Sequence, residues 1–272
     1  MKAAVFREVN KPMEIEEISV SKPGHREVLI RTKAAGICHS DLHFWNGSYP
    51  GQVPMVLGHE SAGVVEQVGS DVHYVKPGDH VITCLSVFCG HCEQCLTGHL
   101  SLCSEPETDR SQEEAPRLYQ NDQALTQFAK LGSFAEMMLV HEHALVKVRE
   151  DMPMDRAALI GCGVTTGVGA VIHTAAVEPG STVAVIGCGG IGLSAINGAA
   201  LAGAARIIAV DMVPSKLELA RKFGATDVVD ASDGEAVGKV IEMTGGGVHY
   251  SFEAIGLKAT AEQAFQMLRA GG

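Results

Sequence analysis

Hydrophobic residues follow two rhythms along this chain, and the change between them divides it. Over roughly the first 150 residues the apolar positions form short runs separated by turn formers, the mark of a β-rich region. Residues 2–6 and 13–20 read as strands around Asn10-Lys11-Pro12, and Pro23-Gly24 makes the next turn. From Glu27 to Ala35, Val28, Ile30 and Ala34 alternate with Arg31 and Lys33, and Leu29 is the departure from period two. A short helix is predicted over 42–45, then strands over 61–69 and 80–83 with Pro77-Gly78-Asp79 between them. Residues 104–130 carry Glu105, Glu107, Asp109, Glu113 and Glu114, which predicts a solvated surface loop, and the β pattern returns from Gly132 to Val148.

The second rhythm begins after the glycine-spaced segment 154–176. Thr182–Ile186 is a continuous apolar run of the kind buried on both faces of a parallel sheet. It ends in Gly187-Cys188-Gly189-Gly190-Ile191-Gly192, a GxGxxG turn that opens an Ala-rich helix reaching about Leu201. A strand from Arg206 to Val210 follows and ends in Asp211. Then come a helix from Pro214, with Gly224 as its cap, a strand at 228–229, a helix over 235–243, a strand over 248–252 and a helix over 259–269. Alone the glycine pattern is weak, but between a strand and a helix it is the dinucleotide-binding fingerprint. Gly187, Gly189, Gly190, Ile191 and Gly192 would let backbone approach a pyrophosphate at the helix N-terminus. Asp211, nineteen residues past Gly192, would accept from a ribose 2′-hydroxyl and repel a 2′-phosphate, which favours NAD over NADP. The chain stops at Gly271-Gly272, where another strand is due, so an apparent truncation at the C-terminus is expected.

Length and charge narrow the classes. At 272 residues the chain is comfortable for two domains, and a formal net charge of -11 without Lys/Arg runs argues against a nucleic-acid partner. Residues 1–8 lack a signal-peptide core, and no run approaches the roughly eighteen apolar residues of a membrane span; Ala-rich 195–210 is broken by glycines and Arg206. The expectation is therefore a cytoplasmic chain with no membrane partner, whose eight cysteines serve metal or catalysis rather than disulfides.

Those cysteines cluster. Cys89-Gly90-His91-Cys92-Glu93-Gln94-Cys95, followed by Cys103, has the spacing of a closed zinc site with four thiolates, which is structural because no position is open to substrate. A disulfide knot is the competing reading; His91 is read as exposed, not as a ligand. Cys38-His39-Ser40-Asp41-Leu42-His43 packs a thiolate, two imidazoles, a hydroxyl and a carboxylate together, the ingredients of a metal site with a proton relay. By itself it could be a surface loop. Gly58-His59-Glu60 and Gly161-Cys162-Gly163 each offer a further ligand between small residues.

With CHSDLH at 38–43, GHESAGVVEQVGSDV at 58–72, CGHCEQC at 89–95, GCGVTTGVGAV at 161–171 and GCGGIG at 187–192, the chain resembles the zinc-dependent medium-chain alcohol dehydrogenases, nearer the class III, glutathione-dependent formaldehyde dehydrogenase branch. The resemblance implies an α/β two-domain fold: a GroES-like β-rich catalytic domain over 1–160, with its zinc lobe at about 84–110, and an incomplete Rossmann doubly wound NAD-binding domain over 161–272, with a cleft between them. It implies Cys38, His59 and Cys162 as catalytic zinc ligands, Glu60 as a carboxylate that visits the metal, Asp41 orienting His59, and Ser40 and His43 as the relay. His39 would lie by the cofactor pyrophosphate, Thr166 by the nicotinamide and Lys216 by the adenosine ribose. The family works on small alcohols and aldehydes as a homodimer or homotetramer through strands this chain lacks. Cys84 and Cys188 receive no role. Near the places where glutathione-dependent members carry an acid and an arginine stand Tyr49 and Glu107; Glu107 would repel a glutathione carboxylate. Trp45, Tyr49 and Phe88 then predict an apolar pocket for an ordinary or aromatic primary or secondary alcohol. S-(hydroxymethyl)glutathione oxidation is the alternative activity, and a non-catalytic zinc- or nucleotide-binding protein the alternative of another class.

Overall fold

In the computed structural model, which describes residues 1–104, 108–111 and 113–272, the chain divides into two units, Met1–Cys162 and Gly163–Gly272. Within the first unit β1 (Lys2–Phe6), β2 (Glu14–Glu17), β3 (Ser19–Val20) and β4 (Glu27–Gly36) lead into helix α1 (His39–Trp45). Then follow β5 (Met55–Val56), β6 (Glu60–Val68), β7 (His80–Thr83), the short helix α2 (Glu93–Leu96), β8 (Leu118–Gln120), β9 (Gln123–Gln127), β10 (Met137–His141), β11 (Leu145–Lys147) and α3 (Met154–Ala157). They make a five-stranded sheet ordered β10-β4-β6-β7-β11 and a six-stranded sheet ordered β2-β1-β5-β9-β8-β3.

Strand β4 shows why its alternation is imperfect. Its first four residues are all buried, so both faces are covered there, and its pairing with β6 shifts register between Leu29 and Ile30 and again between Thr32 and Ala34. Each irregularity resets which face a side chain takes. Val28, Ile30, Val65, Val81, Met138 and Val140 fill one core of this unit, and Ala3, Val5, Ile18, Val56, Leu118 and Leu125 another.

The polar stretch 104–130 is not one surface loop. Leu118–Gln120 and Gln123–Gln127 form a hairpin around Asn121 and Asp122, whose φ angles are 46° and 66°. Asn and Asp tolerate that left-handed turn, and its twist suits a two-residue hairpin. Leu118 and Leu125 alone in this hairpin are buried, too sparse a pattern to read as strand. Glu105 and Glu107 lie outside the described residues. Helix α1 begins earlier than its apolar pattern, at His39, because Asp41 closes a capping box with Cys38. The strand over 13–20 breaks at Ile18, and β5 is too short to announce itself.

The second unit holds α4 (Thr165–Gly169), β12 (Thr182–Ile186), α5 (Gly190–Leu201), β13 (Arg206–Asp211), α6 (Pro214–Phe223), β14 (Asp227–Asp230), α7 (Ala236–Thr244), β15 (Tyr250–Glu253) and α8 (Lys258–Gln266). Its four strands are parallel in the order β14-β13-β12-β15, with helices on both faces, a Rossmann-type arrangement. Val183 and Val185 pack with Ile196, Ala199 and Leu217 on one face, while Ala184 and Ile186 pack with Val240 and Met267 on the other. Burial on both sides is why β12 reads as a continuous apolar run.

The helical stretch Met154–Thr174 is long and apolar enough to cross a membrane by length and composition. The sequence reading expects no membrane span and takes 195–210 as the nearest approach to one. The stretch Met154–Thr174 consists of α3, α4 and two wide π-helical turns, Ile160–Val164 and Ala170–Thr174.

Candidate metal centres and cofactor turn

The four lobe sulfurs converge. Cys92 Sγ lies 3.4 Å from Cys95 Sγ and 3.9 Å from Cys103 Sγ, and Cys89 Sγ lies 3.8 Å from Cys95 Sγ. Four sulfurs at about 2.3 Å from one zinc ion stand about 3.8 Å apart, so this cage has the right size. A disulfide needs about 2.05 Å, and all eight cysteines are free, which disposes of the knot. Backbone donors are already aimed at the cage: the N–H groups of His91 and Cys92 point to Cys89 Sγ, and that of Cys89 to Cys103 Sγ. The backbone N–H of Cys95 draws the Cys92 thiol down, but burial and the neighbouring sulfurs outweigh it and push it up to about 12. Four adjacent sulfurs cannot all lose their protons unless a cation shares them, and zinc supplies that cation.

A second set, Cys38, His59, Glu60 and Cys162, brings its ligand atoms within 4.8 Å of one another. Cys38 Sγ and Cys162 Sγ are 4.0 Å apart, and His59 Nε2 is 3.2 Å from Cys162 Sγ. Three parts of the fold supply them. Gly36 at the end of β4 pairs with Glu60 at the start of β6, which sets Cys38 beside His59. Cys162 arrives on the π-helical turn 160–164, at the end of β7. There a Cβ on Gly161 would overlap the Thr83 carbonyl oxygen, so the turn approaches this closely only with glycine.

Asp41 ties these pieces together. It is buried, its Oδ2 accepts the Cys38 N–H at 3.0 Å, its Oδ1 accepts the Gly58 N–H at 2.9 Å, and Oδ1 also faces His59 Nδ1 at 3.6 Å. Burial pulls the His59 pKa down, but Asp41 and Cys38 outweigh it and lift it to about 9. The Cys38 thiol is drawn down to about 3, first by Cys162 and then by His59, while Cys162 is pushed upward by the Cys38 thiolate and by burial. Two thiols and an imidazole sharing so few protons are a donor set that fits a divalent soft-to-borderline cation. Ser40 Oγ is 3.7 Å from Cys38 Sγ. His39 and His43 lie side by side on α1 with tilted rings, centroids 4.7 Å apart, and the Tyr49 ring lies tilted against His43 at 4.8 Å.

In the second unit Gly187 takes φ 93°, and a Cβ on Gly192 would overlap the Gly187 carbonyl oxygen, so the turn closes only with glycine at 192. Gly190 and Ile191 are exposed at the helix start, while Gly187 and Gly192 are buried. Asp211 accepts the Cys188 N–H at 2.8 Å with one oxygen and the Val213 N–H at 2.9 Å with the other. Each carboxylate oxygen keeps a further lone pair for a ligand. Thr166 and Lys216 are exposed. Cys188 is a buried core residue, its thiol pushed up to about 12 by burial and by Asp211.

The chain matches the alcohol dehydrogenase GroES-like domain over residues 24–150 and the zinc-binding dehydrogenase domain over 190–272. It is 45% identical over 263 residues to alcohol dehydrogenase class-3 of Myxine glutinosa, covering 94% of this chain and 70% of that protein. The chain belongs to the zinc-containing medium-chain alcohol dehydrogenase family. It is also 42% identical to the S-(hydroxymethyl)glutathione dehydrogenase of Synechocystis, over 99% of this chain and 75% of that one. The solved benzyl alcohol dehydrogenase of Acinetobacter calcoaceticus superposes with a TM-score of 0.90 at 36% identity, over all of this chain and 75% of its own. The two clusters are zinc sites, one structural and one catalytic, and the parallel sheet is an NAD(P)-binding domain.

Two residues of the expected apolar pocket have contacts of their own. Trp45 donates its indole N–H to Lys11 O at 2.7 Å and packs with Phe6, Met55 and Leu57, and Phe88 stacks on His143 with centroids 4.4 Å apart. Sequence reasoning missed Phe128, whose ring stands perpendicular to that of His59 with centroids 5.0 Å apart; nothing in its local pattern marks it.

Proposed function

We propose that this chain oxidises a primary or secondary alcohol to the aldehyde or ketone with NAD as hydride acceptor. The observation that carries this is the convergence of Cys38, His59 and Cys162, with Ser40 Oγ against the same sulfur. Cys38, His59 and Cys162 would hold the ion, and Glu60 would stand by it as a fourth donor. When bound, zinc supplies a Lewis acid that makes an alcohol hydroxyl acidic near neutral pH. NAD supplies the hydride acceptor. Ser40 accepts the alcohol proton and His43 passes it towards solvent. Asp41 keeps the His59 ring turned with Nε2 towards the sulfurs, and Asp211 selects NAD by accepting from the ribose 2′-hydroxyl and repelling a 2′-phosphate.

A second reading, oxidation of S-(hydroxymethyl)glutathione, is favoured by the name of the relative in Synechocystis. Against it stands Tyr49, half-exposed at the place of an acid. Zinc analysis with an NADH absorbance assay separates the two. About two zinc ions per chain and NADH formed from alcohols alone support the proposal. Turnover only with added glutathione favours the second reading, and two zinc ions with no turnover on either substrate make the chain a binder. Cys38→Ser is expected to abolish turnover and leave the lobe zinc in place; full activity in that variant removes the site.

A further inference from the structure

The lobe that carries Cys89, Cys92, Cys95 and Cys103 is entered through Phe88, and a side chain from a distant part of the sequence meets it there. Strand β10 ends at His141, and His143 follows on the single turn Glu142–Ala144. The His143 ring stacks on that of Phe88, with centroids 4.4 Å apart and planes at 16°, and its Nδ1 is 2.7 Å from the Phe88 carbonyl oxygen. Its Nε2 is 3.0 Å from Arg26 Nη2. Arg26 in turn donates through Nε to the buried carboxylate of Glu142 at 2.8 Å.

These partners fix the state of the imidazole. A guanidinium can only donate and a carbonyl can only accept, so Nε2 presents its lone pair to Arg26 and Nδ1 carries the proton that it gives to Phe88. The carbonyl it reaches belongs to the same peptide group as the Cys89 N–H, and that N–H donates to Cys103 Sγ at 3.3 Å. One unbroken run of donors therefore leads from Arg26 through His143 and the 88–89 peptide to a lobe sulfur. Within such a run each bond polarises the next, so a donor on the Phe88 oxygen makes the Cys89 N–H a stronger donor in its turn. Four thiolates around one divalent cation carry surplus negative charge, and donors aimed at sulfur stabilise it.

We propose that His143 is a positioning residue for the structural zinc: its Nδ1–H bond to Phe88 orients and polarises the 88–89 peptide so that the Cys89 N–H holds the Cys103 thiolate. Arg26, itself held by Glu142, keeps the imidazole in the tautomer that does this. The inference rests on the four lobe cysteines holding zinc and is independent of which alcohol the catalytic site takes.

The test follows chelator-promoted release of zinc from the full, two-zinc chain with pyridylazoresorcinol, using Cys38→Ser to assign the phase that belongs to the catalytic ion. His143→Phe keeps a ring against Phe88 but has no N–H to give, and it is expected to release the lobe zinc about tenfold faster, the scale on which residues supporting a ligand act. His143→Gln gives up the ring but can both donate to Phe88 and accept from Arg26, so it should restore most of the wild-type rate. The catalytic phase should not change in either variant. An unchanged lobe phase in folded His143→Phe overturns the inference. So do equal acceleration of both phases, which would mean general loosening, and a glutamine variant as fast as the phenylalanine one. Should His143→Phe not fold, His143→Met, equally without an N–H, carries the same comparison. A wild-type chain whose lobe holds no zinc overturns the lobe assignment and this inference with it, whereas lobe zinc with unchanged release overturns this inference alone.

Discussion

Replacing Asp41 with alanine tests how the catalytic site is held before any chemistry occurs. The carboxylate accepts the N–H groups of Cys38 and Gly58 and lies 3.6 Å from His59 Nδ1, so one side chain joins the segment before α1 to the start of β6. Its loss strands the Gly58 N–H in a buried place, at about 1–3 kcal/mol. The Cys38 N–H is only partly buried and recovers some hydration, so it adds about 1 kcal/mol, and an acid removed from the first turn of α1 adds about 0.5 kcal/mol. The sum is about 2.5–4.5 kcal/mol. For a domain of this size that lowers the melting temperature by roughly 5–18 °C. Asp41→Asn keeps one acceptor oxygen and should fall between alanine and wild type. Thermal and urea unfolding followed by circular dichroism, with zinc content measured in parallel, reads the effect. An alanine variant within about 0.5 kcal/mol of wild type, or an asparagine variant as weak as alanine, refutes the account of Asp41 as the joint of the site.

Gly161→Ala forces a Cβ into the Thr83 carbonyl, so the turn carrying Cys162 must move; the catalytic zinc should be lost while lobe zinc remains, as metal analysis would show. Asp211→Ala should lower the ratio of kcat/KM for NAD over that for NADP, because the group that repels a 2′-phosphate is gone; an unchanged ratio assigns Asp211 only its bonds to Cys188 and Val213. Burial raises the Glu27 carboxyl, but hydrogen bonds from Arg110, Arg117 and the Gly24 N–H outweigh it and hold it below its ordinary 4.5. A carboxyl lowered by folding contributes its stability above that ordinary value and loses it as pH falls through the lower folded value. Glu27→Gln should therefore flatten the acid limb of a stability–pH curve and cost about 3 kcal/mol at neutral pH, since two guanidiniums lose their counter-charge.

Features that depend on near neighbours and regular burial are legible along the chain. The run at 182–186, the glycine turn after it and the βα alternation were legible because each residue's burial repeats with the geometry of its own element. The lobe cysteines could be named because one short segment carries them all. Cys38, His59 and Cys162 could be nominated as donor types with glycine nearby, but their meeting depends on pairing between β4, β6 and β7 and on a π-helical turn, none of which local spacing encodes. Tertiary structure alone decided the hairpin 118–127, where burial of Leu118 and Leu125 rewards two strands too short to be periodic. It also decided that both oxygens of Asp211 brace the glycine turn and that Phe128, far along the chain, stands against His59. Such contacts join residues whose identities are compatible with many neighbours, and only the folded chain selects which neighbour each receives.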